Sequence, residues 1–230
     1  MNIRNQRICI HLSLVFIIFT GVGLFFMTGW LPPPAPSLDA GATAREFARG
    51  GVMRVGLAIV AFVSPFFMAF AAAISAQMRR IEGPHHVFSN LQLACAAVGV
   101  LAIQFPAFFW LAISYRAETP AAIIVTLNDI GWFLMLGATG PAVLQNLSIG
   151  FCILGDESDG TIYPRWLGYM NLWLAITLLP GVLLPFFKVG PFAWNGILGF
   201  WMVAVGFFAW AIINYVYTAK AIERQARAGA

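Results

Sequence analysis

Six long apolar stretches succeed one another along this chain, and they restrict its fold more than any other feature of the sequence. A helix needs about 20 largely apolar residues to cross a bilayer, and prolines, glycines and charges mark the ends of each stretch. The sequence therefore predicts an all-α fold, a polytopic transmembrane helical bundle in which residues 1–230 form one domain. The predicted spans are 9–30, 51–77, 88–115, 128–154, 166–187 and 192–217.

The scarcity of charge excludes several classes of soluble protein. Apolar residues make up 60% of the chain and charged residues 10%, whereas soluble domains carry roughly 25% charged residues. A disordered chain, a nucleic-acid reader and a cytosolic enzyme are therefore excluded as leading interpretations. We expect the partners to be the lipid bilayer together with a hydrophobic ligand, other membrane proteins or a second copy of the chain, and no nucleic acid.

Connections between the spans carry signals for helix ends. Prolines in the segment 31–36 stop the first span, and the sequence Thr43-Ala-Arg-Glu46 resembles a capping box that opens a short amphipathic helix. The stretch 120–154 is too long for one straight span. It predicts a short surface helix as far as Leu127, followed by a membrane helix that begins at Asn128.

The basic residues predict the orientation of the bundle. With the N terminus inside, eight of the 13 lysines and arginines lie on the inner face, including the pair Arg79 and Arg80 at a helix end. Cytoplasmic loops of membrane proteins are enriched in these residues. We therefore expect both termini of this multi-pass protein to lie in the cytoplasm.

Two charged residues near the outer ends of spans are candidates for a ligand or gating site. Arg54 lies in the second span and Asp129 in the fourth, at the same expected depth. A bidentate pair between them would form a gate or a site for an anion or polar head group. A plain clamp between helices, or Arg54 reaching the head groups alone, is the structural alternative.

Amide and tryptophan side chains supply the other candidates. Gln145, Asn146 and Asn171 lie inside spans, where they either line a polar cavity or form hydrogen bonds between helices. Trp132 completes the candidate set. Tryptophans near span ends are typical of an interfacial belt, and an aromatic ligand cage is the alternative; they are Trp30, Trp132, Trp166 and Trp194.

Signals for chemistry are lacking in the sequence. Motifs of metalloproteases, serine hydrolases and phosphate-binding loops do not occur, and the three cysteines lie in apolar runs without a pairing motif. We therefore name no catalytic residue and expect neither a metal nor a cofactor.

Motifs in the second half of the chain follow one another in a recognisable order. Asn128-Asp-Ile-Gly-Trp132-Phe-Leu-Met-Leu-Gly137 precedes Gly140-Pro141, then Asn146 and Gly150, and finally Pro164-Arg-Trp-Leu-Gly168. This order resembles a bacterial family of six-helix integral membrane proteins that is catalogued as a domain of unknown function. The resemblance covers mainly the fourth and fifth spans, and it implies a fold rather than an activity. It also implies a multi-pass protein of a bacterial inner (cytoplasmic) membrane.

Three functions remain open from the sequence. The first is binding of a hydrophobic small molecule, a lipid or partner helices, without chemistry, as in an accessory subunit. The second is a small transporter or channel with an outward-facing polar vestibule, gated by Arg54 and Asp129 and lined by Gln145 and Asn146. The third is an intramembrane enzyme on a lipid or isoprenoid substrate, with Asp129 as the acid.

Overall fold

Helices are the only regular elements in the part of the chain that the structure, a computed structural model, describes: residues 2–116, 118–157 and 162–228. Seven helices lie within these ranges. They are α1 (Ile3–Met27), α2 (Ala40–Phe47), α3 (Gly51–Glu82), α4 (Val87–Tyr115), α5 (Ala121–Leu154), α6 (Arg165–Phe186) and α7 (Ile197–Ala228).

Six of the helices are long and apolar enough to cross a membrane. Their most apolar windows have mean hydropathies between 1.7 and 2.4, and α2 is the short helix that stands apart from them. The all-α class and the number of spanning-length helices are thereby confirmed. They are consistent with an integral membrane protein.

Two helices have boundaries that differ clearly from those that the sequence predicts. The helix α1 begins at Ile3 rather than near Cys9, because Asn2 Oδ1 accepts a hydrogen bond from the Asn5 amide. The helix α7 begins at Ile197 and continues to Ala228. Hydropathy marks where a helix would leave the membrane, whereas capping and local helix propensity decide where it ends.

The fourth span is one helix as far as Gly137, and the predicted boundary at Leu127 and Asn128 is wrong. The α-helical part begins at Ala121 and runs without interruption past Asn128. The break lies instead at Ala138 and Thr139, where the backbone of Ala138 leaves the helical region with a ψ of 54°. Pro141, which lacks an amide hydrogen, opens the next segment.

The short helix α2 forms where the sequence predicts it, but the predicted capping box is wrong. Asp39 is the cap, and its Oδ1 accepts a hydrogen bond from the Ala42 amide at 2.7 Å. Thr43 lies inside the helix and donates its hydroxyl hydrogen to the Asp39 carbonyl at 2.9 Å. A carboxylate at this position is also favoured by the helix dipole.

The helices α5 and α6 approach each other closely through glycines. A Cβ on Gly150 would lie 3.1 Å from the Gly168 carbonyl oxygen, and a Cβ on Gly168 would lie 3.2 Å from the Gly150 oxygen. Small residues allow such contact between backbones in membrane bundles. This contact holds the second half of α5 in the interior of the molecule.

The beginning of α1 and the end of α7 meet at one end of the bundle. Gln77 in α3 donates hydrogen bonds to Gln6 in α1 and to Gln225 in α7, and the latter bond measures 2.9 Å. Arg7 and Glu223 form a bidentate ion pair with both distances at 2.7 Å. The beginning of α1 and the end of α7 are therefore fixed to each other.

Candidate ligand-binding cavity

All six spanning-length helices contribute to the wall of one cavity of about 130 Å³. Most of the wall is aliphatic or aromatic, and no residue of the wall is charged in the described part of the chain. Each helix supplies at least one of these side chains: Leu24 from α1, Phe67 from α3, Ile103 from α4, Leu136 from α5, Leu174 from α6 and Phe207 from α7.

Irregular backbone surrounds this cavity. Three π-helical turns, Val22–Met27, Phe133–Gly137 and Ile197–Trp201, each place side chains in the wall. The break in α5 at Ala138 and Thr139 also lies against the cavity. Single π-helical turns occur often at functional sites, and non-helical backbone at membrane depth is tolerated where it is buried or lines a cavity.

Polar groups enter the wall at a few positions, two of which the sequence predicts. Gln145 and Asn146 both line the cavity. Gln145 Nε2 donates to Gln92 Oε1 at 3.3 Å, and Gln92 Nε2 donates in turn to the Ala71 carbonyl oxygen at 2.8 Å. The amide of Gln145 is thereby tied to α4 and, through it, to α3.

Only one of the two polar atoms in the Asn146 side chain forms a hydrogen bond among the described residues. Its Nδ2 donates to the Ala142 carbonyl oxygen at 2.8 Å, while its buried Oδ1 has no hydrogen-bond partner among the described residues. The hydroxyl oxygen of Thr20, which also lines the cavity, is in the same state. Thr20 is a wall residue that the sequence does not single out, because Ser13 and Thr28 are further hydroxyl residues of the same predicted span.

Asn171 lies behind the wall rather than in it. Its Nδ2 donates to the Leu167 carbonyl oxygen at 2.8 Å, and its Oδ1 accepts a hydrogen bond from Trp210 Nε1 at 2.8 Å. Trp210 lines the cavity. Asn171 therefore orients a wall residue and has no free polar atom to offer a ligand.

Four tryptophans pack together at one side of the cavity, and we call them the tryptophan cluster: Trp30, Trp110, Trp132 and Trp194. Ring centroids of Trp30 and Trp110 lie 4.8 Å apart, and Trp194 stacks on Trp132 at 6.2 Å. Trp132 is the member that reaches the cavity wall.

The tryptophan cluster is buried. The predicted interfacial belt is therefore wrong for three of the four tryptophans that were assigned to it. Trp30, Trp132 and Trp194 are at most 3% exposed. The segment that precedes α2 folds back onto the bundle, where Trp194 Nε1 donates to the Pro34 carbonyl oxygen at 2.8 Å and Phe47 packs on Trp30. Trp166, at 46% exposed, has the accessibility that an interfacial position requires.

The indole N–H groups of the tryptophan cluster differ in their hydrogen bonding. Trp132 Nε1 donates to Asn128 Oδ1 at 3.1 Å, whereas Trp30 Nε1 and Trp110 Nε1 are buried without a conventional partner in the described residues. Trp30 and Trp110 pack edge to face at 80°.

Arg54 and Asp129 do not form the predicted pair. No ion pair joins them within the described ranges, and neither lines the cavity. Arg54 is exposed on α3, while Asp129 accepts a long hydrogen bond of 3.5 Å from its neighbour Asn128. A common depth along two spans does not decide whether two side chains point toward each other, so the sequence cannot reveal this outcome.

Similar proteins do not help to define this cavity. The chain matches no family model, and comparisons with curated proteins and with solved structures find no significant similarity.

Proposed function

We propose that this chain binds a hydrophobic small molecule in the cavity at the centre of its bundle, without carrying out chemistry on it. The observation that carries this proposal is the cavity itself, with its apolar wall and its two unpaired polar atoms. Binding sites for small molecules are typically concave and apolar, with a few polar groups that orient the ligand.

The apolar wall of the cavity supports this function. Side chains beside unfilled space lose the van der Waals contacts that a filling molecule would supply. A hydrophobic ligand drawn from the surrounding bilayer would supply these contacts, and it would be exchanged laterally between helices.

We further propose that the chain is a multi-pass protein of a bacterial inner membrane with both termini in the cytoplasm. The basic residues at the end of the bundle where the termini meet support this orientation. The motifs of α5 and α6 support membership of the six-helix family of unknown function. A role as an accessory subunit or a homo-oligomer is compatible with ligand binding.

The test is native mass spectrometry of protein extracted gently from its own membrane. We expect a discrete small-molecule adduct on the wild-type protein. Ala142→Leu places a larger side chain in the cavity wall and should abolish the adduct. Ala122→Leu makes the same change at an exposed position of the same helix and should retain it. A folded wild-type protein without an adduct would contradict the proposal.

A second candidate, transport, is favoured by one observation. Discontinuous helices next to a central site are common in secondary transporters, and α5 is broken where it meets the cavity. Transport requires a water-filled path. In a variant without native cysteines, Asn146→Cys should then react with a membrane-impermeant thiol reagent. Protection of this position would favour binding alone.

A further inference from the structure

Two buried asparagines in neighbouring helices provide an internal comparison. Asn146 and Asn171 both donate Nδ2 hydrogens to the carbonyl oxygen four residues earlier. The Oδ1 of Asn171 then accepts a hydrogen bond from Trp210, whereas the Oδ1 of Asn146 accepts none among the described residues. The arrangement around Asn146 therefore lacks one hydrogen-bond donor, and Asn146 is one of the residues that line the cavity.

Thr20 differs in a similar way from other hydroxyl residues of the bundle. Ser64, Thr126 and Ser148 each donate to the carbonyl oxygen four residues earlier, which satisfies the hydroxyl hydrogen within the helix. Thr20 forms no such bond, although it is buried in α1. Its hydroxyl is available both to donate and to accept a hydrogen bond.

The size and charge of the cavity restrict what can supply the missing donor. A cavity of about 150 Å³ lined by aliphatic and aromatic side chains holds benzene, and the cavity here measures about 130 Å³. Its wall carries no charge among the described residues, so an ammonium group or a carboxylate would be buried without a counterion. The ligand portion inside is therefore neutral and about the size of one ring.

An amide oxygen can only accept hydrogen bonds, so the ligand must donate one to Asn146. Resting on the proposed function, we infer that the cavity binds a lipophilic alcohol or phenol whose hydroxyl group donates to Asn146 Oδ1. Thr20 belongs to the same wall, and its hydroxyl is a second polar group without a partner among the described residues. Aromatic side chains of Phe25, Trp132 and Phe207 surround the apolar body.

The test uses two probes of nearly equal size, 4-fluorophenol and fluorobenzene. Fluorine NMR would measure their binding to the full-length protein in lipid nanodiscs, with empty nanodiscs as the reference for partitioning. We expect 4-fluorophenol to bind about fivefold more tightly, which is the effect of one neutral hydrogen bond. Asn146→Leu should remove this preference and retain binding of fluorobenzene.

A matched control is available at Asn214. Its Nδ2 donates to the Trp210 carbonyl oxygen at 3.0 Å, as Asn146 does to its own preceding turn, but it does not line the cavity. Asn214→Leu should therefore keep the preference for the phenol. If Asn146→Leu fails to fold, Asn146→Ala removes the same oxygen without adding bulk, and the same loss of preference is expected.

The possible results separate this inference from the proposed function. If neither probe binds to the wild-type protein, the proposed function fails and the inference fails with it. If both probes bind with equal affinity, the cavity is a binding site but the inference is wrong. A preference for the phenol that persists in the Asn146 variants would also overturn the inference.

Discussion

Tyr163 shows how a single buried group makes stability depend on pH. It lies in the connection before α6, with its hydroxyl 2.9 Å from Thr218 Oγ1. Burial raises the pKa of this phenol well above its ordinary value, although the hydrogen bond to Thr218 and the nearby guanidinium groups of Arg80 and Arg224 act in the opposite direction. The folded protein therefore keeps a proton that the unfolded chain releases near pH 10.

This difference predicts a loss of stability in alkaline solution. Because the unfolded state releases the proton first, the contribution of Tyr163 is complete below about pH 10 and falls as the pH rises above it. Tyr163→Phe should make the melting temperature decline less steeply between about pH 9 and pH 11. Parallel pH profiles for the two proteins would contradict this explanation.

The two asparagines should respond differently to the same substitution. Asn171→Leu leaves Trp210 Nε1 without its acceptor, so we expect it to destabilise the protein by about 1 kcal/mol. Asn146→Leu removes an oxygen that already lacks a partner, so its effect should be smaller. Unfolding of both variants in sodium dodecyl sulfate, without added ligand, would compare them. Equal losses would show that Asn146 is satisfied in another way.

At the residue level the sequence predicts part of the site. Gln145, Asn146 and Trp132 stand out because polar or amphipathic side chains are rare in apolar spans, and all three line the cavity. Whether Arg54 pairs with Asp129 could not be predicted from the rarity of polar side chains. Depth follows from position along a span, whereas the direction of a side chain around the bundle depends on how helices pack.

At the level of helices, the contact between α5 and α6 depends on glycines that leave no room for a side chain. A Cβ on Gly168 would lie 2.9 Å from Leu154 Cγ as well as close to the backbone of Gly150. Hydropathy locates both helices, because each apolar run is long enough to span a bilayer. It does not locate the break at Ala138, which depends on local backbone geometry near Pro141.

Substitution at this contact should separate the two helices. Gly168→Val is expected to destabilise the protein by about 1–3 kcal/mol, the usual cost of overpacking a well-packed interior. Gly140→Ala is the control, since a Cβ there meets no atom within 4 Å. The measurement is again unfolding in sodium dodecyl sulfate. A Gly168 variant as stable as the Gly140 variant would contradict the close packing.

For the whole molecule, the bundle brings the beginning of α1 and the end of α7 together, and all six long helices contribute to the wall of one cavity. The number of spanning-length helices could be predicted from hydropathy. The cavity could not, because membrane helices are apolar on every side, and their sequences do not separate faces that meet lipid from faces that meet one another. The burial of the tryptophan cluster could not be predicted for the same reason.

The orientation of the whole bundle gives a prediction of its own. If both termini are cytoplasmic, green fluorescent protein fused to the C terminus should fluoresce in a bacterial host. Alkaline phosphatase fused at the same position should be inactive, because it folds only on the outer side. The reverse pattern would show that the basic residues at this end of the bundle face outward.

The central claim is that the cavity holds a small molecule, and the most direct measurement is a crystal structure of the protein purified with its native lipids. We predict continuous density that belongs to no residue, bounded by Phe207 and Trp132 and within hydrogen-bonding distance of Asn146 Oδ1. A cavity closed by its own side chains, with Asn146 Oδ1 bonded to another residue of the protein, would contradict the account.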